Sequence, residues 1–217
     1  MERKTQTGYL LLADISGYTS FVAKTEIEHA DMALSFLLET IIEKLSSLLT
    51  ISKLEGDAVF AYIEESKLEE ARSLLGLIDQ TYLAFRDKAL TLYRGATCPC
   101  RACQALPTLD LKFMVHHGEF LLQRVAGVTH LLGTDVNLIH RLAKNRVTES
   151  TGWKGYALFT NQGLERMQTD RTSFVRQNES YEHLGKIKTI NIDMHRRYNE
   201  LKEAQRVFIG EQDADLY

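Results

Sequence analysis

The sequence predicts an α+β sandwich with a mixed sheet, built as a single domain. Apolar runs of strand type alternate with long amphipathic helices in the first half of the chain, and strands dominate near the end. The length of 217 residues fits one good-sized domain, and no internal repeat, low-complexity run or Gly/Ser linker divides it. With 44% hydrophobic and 25% charged residues, the composition is that of an ordinary globular protein.

The elements of the first half follow from hydrophobic periodicity. An apolar run predicts a buried strand over residues 8–13, followed by a short helix over 18–24. Leucines and isoleucines recur at helical spacing over about 30–50, which predicts a long helix. In SKLEGDAVFAYIE, Gly-Asp separates two β-prone segments, as a tight hairpin would. Residues 66–92 predict a second long amphipathic helix.

The second half begins after a loop rich in cysteine and proline at 95–108. LDLKFMVHHGEF alternates in the manner of a strand, and VAGVTHLLG completes a hairpin or meander. VNLIHRLAKN predicts a helix, YALFT a strand and NQGLERM a short helix. TSFVRQ and YEHLGKIKTINIDMH predict strands, before a charged helix from about 194 to 208. We expect one domain over 1–217 with its core at about 8–195.

Charge and hydropathy exclude several classes of partner. The formal net charge of −3 provides no basic field for nucleic acid. No apolar stretch reaches the roughly 18 to 20 residues of a membrane span. The N-terminal residues are charged, without a cleavable apolar segment of the signal type behind them. We therefore expect a cytoplasmic protein without a membrane or nucleic-acid partner.

Two aspartates occupy positions at which sheets bind ligands. Asp14 follows the first predicted strand, and Asp57 lies in the turn of the predicted hairpin. Carboxylates at neighbouring strand ends can share divalent cations about 3.5 to 4 Å apart, which activates an attacking oxygen and neutralises a leaving phosphate. Each aspartate taken alone is also ordinary turn chemistry. A metal site and a simple turn both remain open from these residues alone.

Four motifs together resemble the catalytic domain of class III nucleotidyl cyclases. ADISGYTSF is similar to the first metal-binding motif of that family, and KLEGDAVFAY to its Gly-Asp hairpin. MVHHGEF is similar to the strand that ends in Gly-Glu, and GTDVNLIHRLAK to the Val-Asn motif that opens a helix. The motifs occur in the family's order. The resemblance implies a ferredoxin-like α/β sandwich, with a mixed, mainly antiparallel sheet and helices packed on it.

The resemblance also implies a chemistry and an assembly. Asp14 and Asp57, with the carbonyl of Ile15, would hold two Mg²⁺ or Mn²⁺ ions per site. Asn137 would hold the ribose and Arg141 the charge at the α-phosphate, from one helix face because they are four residues apart. A nucleoside triphosphate would become a 3′,5′-cyclic nucleotide and pyrophosphate. The two halves of each site would come from different chains of a homodimer.

The residues that would contact base and phosphate are less well defined by the motifs. Lys53 matches the position at which adenylate cyclases read the base, which makes ATP the first choice. His130 stands at the second reading position, and because histidine can donate or accept, GTP or a pyrimidine triphosphate stays open. Lys188 is slightly favoured over Lys186 as the phosphate lysine, although both could simply face solvent beside Ile187.

The segment CPCRAC lies outside the family pattern. Cys98, Cys100 and Cys103 could supply three thiolates to a zinc ion, with His116, His117 or a residue of another chain as fourth ligand. An unliganded, reduced loop is equally consistent with the spacing. The remaining histidines, His29 among them, are interpreted as surface or packing residues. For the whole chain, the alternative to a cyclase is a cyclase-like module that binds a nucleotide or a partner without turnover.

Overall fold

The computed structural model describes residues 4–165, 167 and 174–214, with side chains as far as residue 207. Its centre is a sheet of eight strands: β1 (Gln6–Ser16), β2 (Thr50–Glu55), β3 (Ala58–Glu64), β4 (Asp110–Val125), β5 (Val128–Leu132), β6 (Tyr156–Thr160), β7 (Val175–Tyr181) and β8 (Gly185–Asp193). The order is β2-β3-β1-β4-β6-β8-β7, and β5 pairs with β4. β4 and β6 are parallel, and every other pair in the described ranges is antiparallel. The predicted mixed, mainly antiparallel sheet is confirmed.

Eight helices accompany the sheet within the described residues: α1 (Tyr18–Lys24), α2 (Ile27–Leu45), α3 (Ser73–Gly95), α4 (Arg101–Ala105), α5 (Thr134–Leu142), α6 (Val147–Thr151), α7 (Asn161–Glu165) and α8 (Met194–Ala214). Short 3₁₀ turns lie at Glu65–Lys67 and Leu106–Thr108. The predicted helix at 30–50 ends early, because Thr50 already begins the edge strand β2. The predicted helix at 66–92 starts late, because 65–67 form a 3₁₀ turn instead. Part of TSFVRQ lies outside the described residues.

The two faces of the sheet build separate hydrophobic cores. In β1, Leu11 and Ile15 belong to the core that packs against α2 and α3, whereas Leu10 and Leu12 belong to the core on the face of α5. This alternation follows from the period of two along a strand. β1 is therefore buried on both sides, and each fully buried leucine contributes about 1.5 to 3 kcal/mol. The side chain of Asp14 continues the row of Leu10 and Leu12 on the α5 face.

The cysteine loop is held against the α2/α3 core. Ala102 and Leu106 are buried in that core, at 0% and 2% exposure. The guanidinium of Arg86 on α3 donates to the carbonyl of Leu109 at 3.0 Å. The loop therefore has fixed contacts between Cys100 and Cys103 and after Cys103.

No helix in the described ranges combines the length and the apolar composition that a bilayer crossing requires.

Candidate functional site

The sheet brings Asp14 and Asp57 together at one edge. β1 runs on to Ser16, so Asp14 lies within the strand and not beyond its end as the sequence suggested. In the register, Asp14 pairs with Ala58, the residue directly after Asp57. The amide of Ile15 donates to the carbonyl of Asp57 at 3.2 Å. The turn between β2 and β3 is possible because Gly56 has a φ of +63°, which residues with a side chain rarely adopt.

The Asp14 carboxyl is electrostatically strained in this position. The pKa of Asp14 is raised to about 6, first by burial and also by the neighbouring carboxylate of Asp57. The ammonium of Lys112 opposes both effects, with its Nζ 3.4 Å from Asp14 Oδ2. The two carboxylates of Asp14 and Asp57 therefore carry more negative charge than the single ammonium of Lys112 offsets.

Lys112 is a site residue that the sequence interpretation did not single out. It pairs with Asp14 on one side and with Tyr156 of β6 on the other, so these three side chains form a row across three strands on the α5 face. The sequence LDLKFMV contained a signal for this residue. Leu111 and Phe113 are buried on one face of the strand, so the lysine between them must point to the other face of the sheet.

The donor set at this edge suits a hard divalent cation. Carboxylate and carbonyl oxygens are the ligands that Mg²⁺ and Mn²⁺ prefer. The side chain of Asp14 is only 16% exposed, so a cation there would offset the cost of burying its charge as well as its repulsion with Asp57. The residues present therefore fit the divalent metal that the motif resemblance implies.

α5 presents Asn137 and Arg141 on its exposed side, one helical turn apart. The opposite side of the helix is buried against the sheet through Val136, Ile139 and Leu142. Within the described part of the chain, neither Asn137 nor Arg141 makes a side-chain hydrogen bond or ion pair. Both are therefore free to meet a group outside this chain.

The start of α5 is anchored to β4 by Asp135. Its Oδ2 accepts a hydrogen bond from the amide of Glu119 at 2.7 Å, and its Oδ1 lies 3.1 Å from Nε2 of His116. The Nδ1 of His116 in turn lies 2.8 Å from the hydroxyl of Thr160 on β6. The strands β4 and β6 and the helix α5 are thus joined by one chain of polar contacts. These contacts fix the position of α5 and of its exposed residues.

His116 and His117 cannot be the fourth ligand of the cysteine loop, which corrects the sequence interpretation. Both are buried in β4, and burial lowers the pKa of each. His117 packs edge-on against Tyr9, and its Nε2 lies 3.5 Å from Glu65. The two histidines belong to the sheet.

The predicted base-reading residues lie on exposed strands. Lys53 on β2 forms an ion pair with Glu55, and Glu55 lies 3.2 Å from Nδ1 of His140 on α5. The ring of His140 packs against Phe60 at 4.8 Å between centroids. Lys53 is thereby linked to the helix that carries Asn137 and Arg141. His130 is exposed on β5, opposite Gln123.

Lys188 is not brought to the aspartates. It is exposed on β8 and alternates with Ile187, which packs on the α5 face, so its side chain lies on the opposite face from Asp14. There it lines a cavity with Asn161 of α7 and Arg176 of β7. Lys186 shares this orientation, because it is two residues away on the same strand.

The three cysteines form a cluster with His29, which the sequence interpretation took for a surface or packing residue. Their four ligand atoms all lie within 4.8 Å of one another. Cys98 Sγ lies 3.1 Å from Cys100 Sγ and 3.3 Å from Cys103 Sγ. His29 Nδ1 lies 3.1 Å from Cys100 Sγ and 3.3 Å from Cys98 Sγ. The predicted cysteine grouping is present, with a different histidine.

Solved structures of similar fold are cyclase domains. The guanylyl cyclase Cya2 superposes with a TM-score of 0.69 at 16% identity, covering 88% of this chain and 93% of that one. A bacterial light-regulated adenylyl cyclase gives 0.67 at 16% identity, covering 89% and 54%. The adenylyl cyclase CyaB from P. aeruginosa gives 0.61 at 16% identity, covering 89% and 97%. At this identity the likeness shows the fold, and the cyclase-like fold implied by the motifs is confirmed.

Sequence comparison identifies the family. The "Uncharacterized protein Rv2561/Rv2562" of Mycobacterium tuberculosis is 32% identical over 114 residues, which are 52% of this chain and 52% of that protein. The chain thus spans about half the length of this relative. The model of a family described as "Protein of unknown function (DUF2652)" matches residues 34–151. Because this match covers more than half of the chain, from α2 through α5 to the end of α6, the protein belongs to that family.

Proposed function

We propose that the chain is a nucleotidyl cyclase, which converts a nucleoside triphosphate into a 3′,5′-cyclic nucleotide and pyrophosphate. The observation that carries the proposal is the pairing of Asp14 and Asp57 at one sheet edge, with Asp14 buried and its pKa raised to about 6. A fold that buries a carboxylate beside a second one accepts a cost in stability, and such costs are typical of functional sites.

The proposed roles follow from residue chemistry and position. Asp14, Asp57 and the carbonyl of Ile15 would hold two Mg²⁺ or Mn²⁺ ions. When bound, such ions supply acidity to a hydroxyl and neutralise phosphate charge. The guanidinium of Arg141 would bind oxygens of the α-phosphate, and the amide of Asn137 would orient the ribose. Positioning and charge stabilisation are then sufficient, and no protein nucleophile is required.

A homodimer would complete the site. The side chains of Asn137 and Arg141 are exposed and make no hydrogen bond or ion pair with a described residue, which leaves them available to phosphates held by a partner chain. Lys53 is linked to α5 through Glu55 and His140, which supports a shared half of the site with Asn137 and Arg141. Asp14 and Asp57 would form the other half. A head-to-tail dimer would then contain two such sites.

ATP is the first choice of substrate because of Lys53, whose ammonium donates to a base acceptor. His130 would be the second base contact, and it leaves GTP and the pyrimidine nucleotides open. Lys188 lies on the sheet face opposite Asp14 of its own chain, so it would contact the phosphates only at a site whose aspartates come from the partner chain.

One observation favours a second function, a cyclase-like module that binds a nucleotide or a partner without turnover. The ammonium of Lys112 lies 3.4 Å from Asp14 and is 20% exposed in its side chain. It already supplies one positive charge where the enzyme would hold a cation. If Lys112 neutralises the charge of Asp14, the site could bind a nucleotide or a partner without a metal ion and without catalysis.

The test is to incubate the purified protein with each of the four ribonucleoside triphosphates, with Mn²⁺ or Mg²⁺, and to quantify cyclic nucleotide and pyrophosphate. We expect turnover with ATP, and a loss of at least about a hundredfold in Asp14→Asn and Asp57→Asn, because each removes a charge that binds the metals. The exposed Asp31 on α2 gives a matched control, and Asp31→Asn should keep the wild-type rate.

The outcomes separate the two functions. Absence of any cyclic product from a dimeric preparation, with saturable nucleotide binding in the same preparation, would reject the enzyme and support the binding module. Undiminished turnover in Asp14→Asn would remove Asp14 from the mechanism.

A further inference from the structure

We infer that His29, Cys98, Cys100 and Cys103 form a structural zinc site that joins the start of α2 to the loop between α3 and β4. This site has no part in the proposed nucleotide chemistry and is independent of it. The four residues come from two distant parts of the chain, with Cys98 69 positions after His29. Their convergence therefore reflects the fold and not local spacing alone.

The distances match a single tetrahedral ion. Zinc–sulfur bonds of about 2.3 Å and zinc–nitrogen bonds of about 2.0 to 2.1 Å place neighbouring ligand atoms roughly 3.6 to 3.8 Å apart. The observed separations of the ligand atoms begin at 3.1 Å, between Cys98 and Cys100, and all lie within 4.8 Å, so they bracket this range. The sulfur atoms are too far apart for a disulfide, whose S–S bond is about 2.05 Å, and all three cysteines are free.

The ligand set favours zinc over other metals. Three thiolates and one imidazole are a common structural zinc set, whereas iron–sulfur clusters are most often held by four cysteines. Four protein ligands leave no open position, which is typical of a structural and not a catalytic site. On binding, the three thiols would release their protons to solvent, leaving three thiolates, a neutral imidazole and the divalent ion.

The surroundings support the ligands. The Sγ of Cys100 caps α4 by accepting a hydrogen bond from the amide of Cys103 at 3.4 Å. Glu26, three residues before His29, accepts from the amide of Ala102 at 3.1 Å and lies 3.3 Å from the guanidinium of Arg101. The carboxylate of Glu26 thus holds the loop beside α2 independently of any metal. Such outer contacts orient ligands in metal sites.

The site would fix a segment that has few other means of order. α4 has five residues, too few for an isolated helix to be stable in water. Ala102 and Leu106 are the fully buried side chains of α4 and the turn after it, and Cys100 and Ala105 are only partly buried against the core. A zinc ion would fix the loop's path into β4, which carries Lys112 toward Asp14.

The first experiment expresses the untagged 217-residue chain in zinc-supplemented medium. Its bound metals are then quantified by inductively coupled plasma mass spectrometry. We expect about one zinc per chain, with iron and copper far below that level. Cys98→Ser and His29→Ala should each lose at least half of the zinc. His195→Ala, which changes an exposed histidine on α8, is the matched control and should keep it.

A second measurement covers variants that fail to fold. The wild-type protein is treated with a strong chelator, and its thermal unfolding is followed before and after adding back Zn²⁺ or Mg²⁺. We expect the chelated protein to melt several degrees lower and Zn²⁺ alone to restore it. Cobalt added to the chelated protein should produce the thiolate charge-transfer and tetrahedral d–d bands of a sulfur-rich site.

Zinc far below one per chain, together with no cobalt–thiolate bands, would overturn the inference. Stoichiometric iron or copper in place of zinc would overturn it equally, because the cluster would then have another function.

Discussion

At the scale of single residues, the most informative side chain outside the aspartates is His116. It is 1% exposed, between Thr160 and Asp135, and burial lowers its pKa although the carboxylate of Asp135 opposes that effect. The nearby His117 lowers it further. The folded protein therefore holds His116 neutral at pH values where an unfolded chain would already protonate it.

This pKa predicts a loss of stability in acid. The unfolded state binds a proton near pH 6.5 and the folded state binds it only at lower pH, so the free energy of unfolding falls as pH drops below 6.5. One such histidine accounts for up to about 1.4 kcal/mol per pH unit in that window. Urea unfolding at pH 7.5 and 5.5 should show a smaller loss for His116→Gln, which keeps polar contacts without titrating.

His195→Gln is the control, because that side chain is exposed. Some acid sensitivity should remain in His116→Gln, since burial also lowers the pKa of His117 and His140. An identical decrease in the free energy of unfolding between pH 7.5 and 5.5 in wild type and His116→Gln would show that His116 is not the source of the acid sensitivity.

Residue spacing predicted which side chains close in sequence lie together, but it did not predict contacts between residues far apart in sequence. Four residues on a helix place Asn137 and Arg141 on one face, and this follows from geometry alone. The partner of the cysteines did not follow, because His29 is far away in sequence and only the packing of α2 brings it near. The nearer His116 and His117 were the natural candidates, but their strand buries them elsewhere.

At the scale of secondary-structure elements, α5 depends on a close approach of its first turn to β4. A Cβ at Gly118 would lie 2.7 Å from the Cβ of Asp135, closer than real atoms approach. Gly118→Ala should therefore displace Asp135 from the amide of Glu119 and reduce the free energy of unfolding by roughly 1 to 3 kcal/mol. Cyclase activity should fall as well, because α5 carries Asn137 and Arg141.

Gly76→Ala in α3 is the matched control, because a Cβ there meets nothing within 4 Å. That change should be neutral or stabilise the protein by about 0.5 to 1 kcal/mol, since alanine is the better helix former. Urea unfolding of the two variants measures the contrast. Equal stability of Gly118→Ala and wild type would mean that α5 is not held by this contact.

The order of elements was predictable, and their pairing was not. Hydrophobic patterning located β1, the β2–β3 hairpin, α5 and β6, because strands and helices differ in the spacing of their apolar residues. The parallel pairing of β4 with β6 depends on contacts between segments far apart in the chain, for which periodicity contains no signal. Boundaries moved where charged stretches such as 65–72 lacked an apolar stripe to hold a helix.

At the scale of the whole molecule, the proposed cyclase would have each chain contribute two incomplete halves of a site. Asp14 and Asp57 lie at a sheet edge with Lys112, and Asn137 and Arg141 are exposed on α5. Neither half has the charges that a nucleoside triphosphate and its cations would need. In the proposed dimer, a second chain in head-to-tail orientation would supply what each half lacks, and closed two-fold symmetry would do so twice.

This arrangement predicts complementation between two inactive variants. Asp57→Asn damages one half of each site and Arg141→Ala the other, so each homodimer should be inactive. In an equimolar mixture that exchanges subunits, about half of the dimers are mixed, and each mixed dimer has one intact site and one doubly damaged site. Cyclic nucleotide formation should therefore recover to about a quarter of the wild-type rate. Mixing Asp57→Asn with Asp14→Asn should restore nothing, because both changes affect the same half. No recovery in the mixture of Asp57→Asn and Arg141→Ala, with subunit exchange demonstrated, would exclude a site shared between chains.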